Sequence, residues 1–240
     1  MRREPYGEGS FLHIVKRGAR GLPFLKDKAD FHRTLLMLAH FNDTPSRPNW
    51  FRDVLEEGAV QSFKRPSSWP AKKPLVSIHA FCLHANHIHL LLEETKNGGV
   101  SAFMQKLGNG IAGYVNEKHG EFGSPFQGSY RSKTIDSDAY LRYVIAYIQT
   151  KNTFERFPGG YAAAEKDFRR AFEWSKSFPF SSSFDHLRRS DLHAERGIVS
   201  PELIPHLWKK GEYERYARDV IVGRAHLTES EAKAVRGAFA

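Results

Sequence analysis

A short apolar segment that carries two histidines, residues 86–94, places the strongest constraint on the fold of this chain. It reads Asn-His-Ile-His-Leu-Leu-Leu-Glu-Glu, and the charged pair at its end makes it long enough for a strand but short for a helix. Alternate side chains of a strand lie on the same face of a sheet. His87 and His89 are therefore predicted to share one face, and Ile88 to enter the core on the other.

Two imidazoles side by side on a rigid strand can form half of a site for a divalent cation. The alternative interpretation is a pair of structural histidines at the end of a strand, because the motif is only three residues long. His84 precedes the pair and is interpreted as a turn residue, close enough to the pair to be of interest.

The segments around this motif predict an α+β fold. Strands are predicted at 11–16, 75–83, 87–93 and 126–134, and helices at 30–41, 50–55, 100–118 and 138–152. Helices packed on one face of a mainly antiparallel sheet, in this order, are typical of ferredoxin-like proteins. Further helices are predicted at 162–176, 202–208, 212–223 and 228–239. We therefore expect a core domain at 1–152 and a helical C-terminal extension at 153–240.

Charge and composition narrow the functional class. The formal net charge of +9 favours a polyanionic partner, with nucleic acid as the first candidate, although a generic basic surface is the alternative. The single cysteine, Cys82, excludes an internal disulfide and fits a reducing compartment. No secretory signal is recognised after Met1, and no apolar run approaches the ~20 residues of a membrane span. These features predict a cytoplasmic protein that does not enter a membrane.

Three segments, taken in order, resemble a known family. They are Ala-Asn-His-Ile-His-Leu-Leu at 85–91, Gly-Ser-Pro-Phe-Gln-Gly-Ser-Tyr-Arg-Ser-Lys at 123–133, and Asp-Ala-Tyr-Leu-Arg-Tyr-Val-Ile-Ala-Tyr-Ile-Gln at 138–149. Together they resemble the single-tyrosine transposases of the HUH class, in the branch of REP-associated and insertion-sequence transposases. HUH denotes two histidines around one hydrophobic residue. The resemblance extends over about residues 11–152.

The resemblance implies a catalytic domain of the HUH transposase fold at 1–152. It implies that His87 and His89 bind Mg²⁺ or Mn²⁺, and that Tyr147 attacks a phosphodiester of single-stranded DNA. The product would be a 5′-phosphotyrosine and a free 3′-hydroxyl, and reversal of the attack would rejoin the strand. The expected partner is hairpin-forming single-stranded DNA, and the resemblance also allows a homodimer.

The sequence departs from this family at the position of the third metal ligand. Family members place Asn or Gln four residues after the tyrosine, where this chain has Lys151, followed by Asn152. A protonated lysine has no lone pair for a metal. We therefore expect Lys151 to act on the scissile phosphate or on Tyr147. Asn152 can be a ligand only if the helix ends or tightens there.

Four basic residues are candidates for contacts with DNA phosphates. Arg17 and Arg20 lie in a glycine-bearing turn after the first strand, and Arg131 and Lys133 alternate on the fourth strand beside Tyr130. The alternative for each pair is an ordinary solvated surface.

Three functions are compatible with the sequence. The first is a transposase that cleaves and rejoins single-stranded DNA. The second is a domesticated protein that binds DNA with the same fold but has lost turnover. The third is an unrelated metal-dependent phosphodiesterase that uses water in place of tyrosine. A trapped covalent protein–DNA adduct separates the first function from the other two.

Overall fold

The centre of the fold is an antiparallel sheet of four strands. Residues 6–187, 196–209, 211–225 and 227 are described by a computed structural model of the chain. The strands are β1 (Phe11–Arg17), β2 (Val76–Leu83), β3 (His87–Glu94) and β4 (Arg131–Ile135). They lie in the order β2-β3-β1-β4, and each neighbouring pair is antiparallel. This order, with helices connecting β1 to β2 and β3 to β4, confirms the predicted ferredoxin-like α+β fold.

Helices make up most of the rest of the described chain. The first four helices are α1 (Lys28–Phe41), α2 (Trp50–Glu56), α3 (Gly99–His119) and α4 (Asp138–Ala146). A π-helical turn, Tyr147–Lys151, continues α4 into α5 (Asn152–Phe154). The later helices are α6 (Gly160–Lys166), α7 (Phe168–Ser175), α8 (Ser183–Leu187), α9 (Leu203–Leu207) and α10 (Glu212–Ile221).

Two predicted elements differ from the structure, and one lies outside it. The strand predicted at 126–134 begins only at Arg131, because Gly128 has a φ of 140° and Phe126 makes a single isolated bridge to Gly18. The helix predicted at 162–176 is divided at Asp167, whose side chain accepts the backbone N–H of Arg170 and caps α7. The helix predicted at 228–239 lies outside the described residues.

One face of the sheet packs against α1 and α3. The apolar side chains of this face form one buried cluster with those of the two helices, and Ile88 belongs to it with 1% of its surface exposed. Gly110 lets the helices approach closely, since a Cβ at this position would lie 2.2 Å from the ring of Phe41. Ile88 is thus buried on the face opposite the two histidines, as the alternation of the strand predicts.

The other face is covered by helices as well. Ala80, Cys82 and Leu91 of the sheet share a second buried cluster with α4, the π-helical turn and the later helices. This second layer places Tyr147 above the sheet face that carries the histidines. The cluster contains residues from both sides of position 152, and the division into two domains there stays a prediction. None of the described helices is long and apolar enough to cross a membrane.

Candidate functional site

The strand register places most of the predicted site residues on one face of the sheet. Arg17 lies opposite His87 in the β1–β3 pair, and Lys133 lies opposite His13 in the β1–β4 pair. Residues paired across antiparallel strands project from the same face. The two histidines of the motif therefore share a face with the basic residues of β1 and β4, namely Arg17, Arg131 and Lys133.

The histidines of this face contact one another. The Nε2 atom of His13 lies 3.1 Å from the Nδ1 atom of His89, so the two rings share a hydrogen bond. The ring of His87 meets that of His89 edge to face, with 4.9 Å between centroids. The ring of His84 stacks on that of His87, with centroids 4.2 Å apart and an angle of 10° between the planes. Four imidazoles thus form a continuous group at this end of the sheet.

Tyr147 lies above this group of histidines. Its ring centroid is 6.0 Å from that of His89 and 6.3 Å from that of His13. The helix that carries it starts where the sequence predicts, because the Ser137 side chain accepts the backbone N–H of Tyr140 and caps α4. The tyrosine is at the end of that helix, facing the sheet.

The environment of Tyr147 disfavours the phenolate. Only 7% of its surface is exposed, and burial is the main cause that raises the pKa of its hydroxyl above the usual value near 10. The negative charge of Glu155 raises this pKa further, whereas the positive charge of Arg17 lowers it. Before it can act as a nucleophile, this tyrosine needs positive charge nearby.

A π-helical turn determines how the side chains that follow Tyr147 are oriented. The backbone N–H of Asn152 donates to the carbonyl of Tyr147, five residues earlier, so the helix widens here. Relative to a regular α-helix, this widening rotates Asn152 towards the face of Tyr147. Lys151 stays close to that face, with its Nζ atom 5.3 Å from the centre of the tyrosine ring. Asn152 is buried, and its Nδ2 atom has no hydrogen-bond partner among the described residues.

The four basic residues predicted to contact DNA differ in their exposure and in their influence on the histidines and Tyr147. Arg17 is half-buried next to the histidines, and its charge affects the pKa values of His87, His89 and Tyr147. Arg20 lies in a short 3₁₀ turn with a φ of 55° and is exposed. Arg131 is exposed and Lys133 half-buried on the edge strand β4.

Three residues of the site have no role in the sequence prediction. His13 was detectable as a strand residue in alternation with Phe11 and Val15, but its partner comes from another strand. His84 is adjacent to the motif, and the sequence predicts only a turn residue at this position. Glu155 lies beyond the predicted helix, and no spacing rule links it to His84, whose Nδ1 atom is 3.8 Å from the Oε2 atom of Glu155.

Burial keeps the imidazoles of the site neutral. It lowers the pKa of His87 from 6.5 to about 4 and that of His84 to about 3. The pKa of His13 is lowered to about 4, and that of His89 lies well below its ordinary value, also through burial. Neutral imidazoles retain the lone pairs that bind metal ions.

We expect the protein to lose stability as the pH falls from about 6.5 to about 4. Buried histidines take up protons in the unfolded chain over this interval but not in the folded protein, so acid favours unfolding. His40, which is remote from Tyr147, belongs to this set: burial lowers its pKa from 6.5 to about 4. Urea unfolding at about pH 7 and about pH 4.5 measures the loss in free energy of unfolding. It amounts to about 1.4 kcal/mol for each pH unit that separates the pKa of a histidine in the folded protein from its pKa in the unfolded chain. His40→Gln should show a smaller pH dependence, and a curve that is flat over this range would contradict the prediction.

Comparisons with known proteins find a family model and a solved structure that are similar to this chain. Residues 47–151 match the family model described as "Transposase IS200 like". A solved structure of a REP-associated tyrosine transposase bound to a REP hairpin is 14% identical, with 79% of this chain and 85% of that chain covered and a TM-score of 0.43. No curated protein sequence matches the chain significantly.

The family match, rather than the structural likeness, carries the assignment. The matched segment contains His87, His89, Lys151 and Tyr147, and it ends just before Asn152. The resemblance to single-tyrosine transposases is thereby confirmed. The similarity to the IS200-like transposases thus includes the histidine pair and the tyrosine of the candidate site.

Proposed function

We propose that this transposase cleaves and rejoins single-stranded DNA through a covalent bond between Tyr147 and a 5′-phosphate. The observation that carries the proposal is the position of Tyr147 on the histidine face of the sheet. Its ring centroid lies 6.0 Å from that of His89 and 6.3 Å from that of His13. A strand transferase needs a nucleophile beside groups that bind the scissile phosphate, and this face supplies both.

In the proposed reaction, the phenolic oxygen of Tyr147 attacks the phosphorus atom. A bond between this oxygen and phosphorus forms, and the bond between phosphorus and the 3′-oxygen breaks. The tyrosine loses its proton, and the departing 3′-oxygen takes up a proton to become a hydroxyl. The reverse attack by the 3′-hydroxyl reseals the strand and releases the tyrosine, so no nucleotide hydrolysis is needed.

Positive charge lowers the barrier to this attack. Arg17 opposes the rise in the pKa of Tyr147 that burial causes. The Nζ atom of Lys151 lies 5.3 Å from the centre of the tyrosine ring. From there its ammonium group would stabilise a phenolate or bind the phosphate.

The residues present also fit a divalent cation, which when bound would neutralise charge on the non-bridging phosphate oxygens. His87 fits best among the ligands predicted from the sequence, because Asn86 binds its Nδ1 atom at 2.7 Å and leaves Nε2 for the ion. His89 and Asn152 are the sequence-based candidates for the rest of the shell. Mg²⁺ and Mn²⁺ are the ions proposed.

The four basic residues would position the DNA. Arg17, Arg131 and Lys133 lie on the face of the sheet that carries the histidines, and Arg20 extends this surface at the end of β1. Such contacts bind the phosphates of any sequence. The preference for hairpin-forming DNA follows from the resemblance to REP-associated transposases, and so does the proposal of a homodimer.

The burial of Tyr147 favours a second candidate function. A tyrosine with 7% of its surface exposed and a raised pKa is poorly placed for attack unless DNA binding opens the site. A protein that binds DNA without turnover would tolerate this burial. Incubation with single-stranded hairpin DNA and Mn²⁺, followed by denaturing electrophoresis, separates the two: a denaturant-resistant adduct supports the transposase, and binding without an adduct supports the second function.

We expect Lys151→Ala to slow adduct formation by about a hundredfold, the size of effect seen when one stabilising charge or donor is removed from a reacting centre. Affinity for the metal should stay nearly unchanged, since an ammonium group has no lone pair. Time courses of adduct formation measure the rate, and Lys166→Ala, an exposed lysine on α6, is the matched control. Loss of metal affinity in Lys151→Ala would refute the assigned role.

A further inference from the structure

The chain that follows α7 returns to the sheet and runs along the outer edge of β2. Three consecutive serines, residues 181–183, form the serine segment of this stretch. The backbone N–H of Leu83 donates to the carbonyl of Phe180, and that of Ser182 donates to the carbonyl of Phe81, each at 2.9 Å. Because β2 is a terminal strand of the sheet, these bonds extend its edge. The serine segment is therefore fixed to the sheet through its backbone.

The side chains of the serine segment bond to the helical turns around Tyr147. The hydroxyl of Thr153 donates to the Oγ atom of Ser181 at 2.9 Å, and the Nε2 atom of Gln149 donates to that of Ser182 at 3.1 Å. The hydroxyl of Ser183 donates to the backbone carbonyl of Gln149. All of these side chains are fully buried, so water does not compete for the bonds.

The bond from Ser183 ends inside the π-helical turn. Gln149 is the central residue of that turn, Tyr147–Lys151, and Ser183 bonds to its backbone and not only to its side chain. A carbonyl that accepts a bond from outside its helix tilts away from the helix axis, which fits a widened turn. The widening decides the direction in which Lys151 projects relative to the tyrosine. A hydroxyl from the edge of the sheet thus acts on the backbone that carries this lysine.

We propose that Ser183 is a positioning residue of the strand-transfer reaction. Through the carbonyl of Gln149 it holds the π-helical turn, and the turn keeps the ammonium group of Lys151 beside the ring of Tyr147. The inference rests on the proposed function for the roles of the lysine and the tyrosine, whereas the hold on the turn does not depend on it. A residue of the C-terminal extension then contributes to the geometry at the nucleophile.

Another buried serine provides a matched control for a purely structural role. The hydroxyl of Ser175, on α7, donates to the backbone carbonyl of Phe172 at 2.7 Å, and its side chain is as fully buried as that of Ser183. Ser175→Ala and Ser183→Ala remove the same kind of bond and should lower stability to a similar degree. Only the change at Ser183 should reach the π-helical turn.

Amide hydrogen exchange of the full chain, followed by NMR without DNA, tests the hold on the turn. The backbone N–H of Asn152 reports on it, since it donates to the carbonyl of Tyr147 across the widened turn. Ser183→Ala should exchange this amide about tenfold faster than the parent protein, and Ser175→Ala should leave it unchanged. Ser183→Cys keeps only a weak donor and should show a smaller increase, which provides the test if Ser183→Ala does not fold. An unchanged rate, or an equal increase in both alanine variants, would overturn the inference.

A double-mutant cycle on adduct formation tests whether Ser183 acts through Lys151. At saturating hairpin DNA and Mn²⁺, Ser183→Ala should slow the parent protein by about tenfold and slow Lys151→Ala hardly further. Ser175→Ala should keep the rate of either background. Effects of Ser183→Ala and Lys151→Ala that multiply would show independent roles and overturn the inference. Faster exchange at Asn152 in Ser183→Ala, from a parent protein that forms no adduct, would reject the proposed function and keep the hold on the turn.

Discussion

Tyr147→Phe should abolish the covalent adduct with single-stranded hairpin DNA and leave the affinity for that DNA nearly unchanged. Phenylalanine preserves the ring that packs against His89 and His13 but removes the oxygen that would form the bond to phosphorus. Removal of a nucleophile allows no partial activity by the same route, so the expected loss is complete within detection. Denaturing electrophoresis with end-labelled DNA measures the adduct, and fluorescence anisotropy measures binding.

The neighbouring Tyr143 provides the matched control. It lies one turn earlier on α4, with its ring centroid 6.0 Å from that of Tyr147, and burial raises the pKa of its hydroxyl too. Tyr143→Phe removes the same atom from a similar environment and should keep most of the adduct. If Tyr147→Phe formed the full amount of adduct and Tyr143→Phe formed none, the nucleophile would be Tyr143 and not Tyr147.

The position of Tyr147 explains why cations are needed around it. Burial stabilises the neutral phenol, and the carboxylate of Glu155 adds to that effect. Arg17 opposes it from the end of β1, and Lys151 lies over the ring.

The strands at 87–94 and 11–17 could be predicted from the sequence because their signals are local. Alternation of the side chains places His87 and His89 on one face, and the buried Ile88 on the other confirms this reading. Ser137 caps α4 as predicted, since capping depends on residues within one turn. The strand predicted at 126–134 is too long because an unusual φ at Gly128 separates the pairing at Phe126 from β4.

The rest of the site depends on contacts between distant segments. The hydrogen bond between His13 and His89 requires the β1–β3 register, which no single segment encodes. The approach of Glu155 to His84 follows from the path of the chain after Tyr147. A π-helical turn adds a residue to one turn of a helix, and its local residue pattern hardly differs from that of an α-helix. The role of Asn152 therefore could not be settled by helical periodicity.

Ile88→Asp should unfold the domain although it changes no residue of the site. Ile88 separates the two histidines, is 1% exposed, and packs in the cluster between the sheet, α1 and α3. An aspartate there would bury a charge, or a protonated acid without a partner, in apolar surroundings. We expect the free energy of unfolding to fall by at least about 4 kcal/mol, which is comparable with the whole stability of many domains. Urea unfolding followed by circular dichroism measures it.

A conservative substitution of Ile88 separates the effect of lost packing from the effect of a buried charge. Ile88→Val removes one methylene group and should reduce stability by only about 1 kcal/mol, with the fold and Mn²⁺ affinity retained. If Ile88→Asp instead kept the parent stability, the side chain at position 88 would have to reach water. His87 and His89 would then project into the α1–α3 side of the sheet, away from Tyr147, and the proposed site could not form. The stability of this one variant therefore tests the strand orientation on which every proposed contact of the histidines depends.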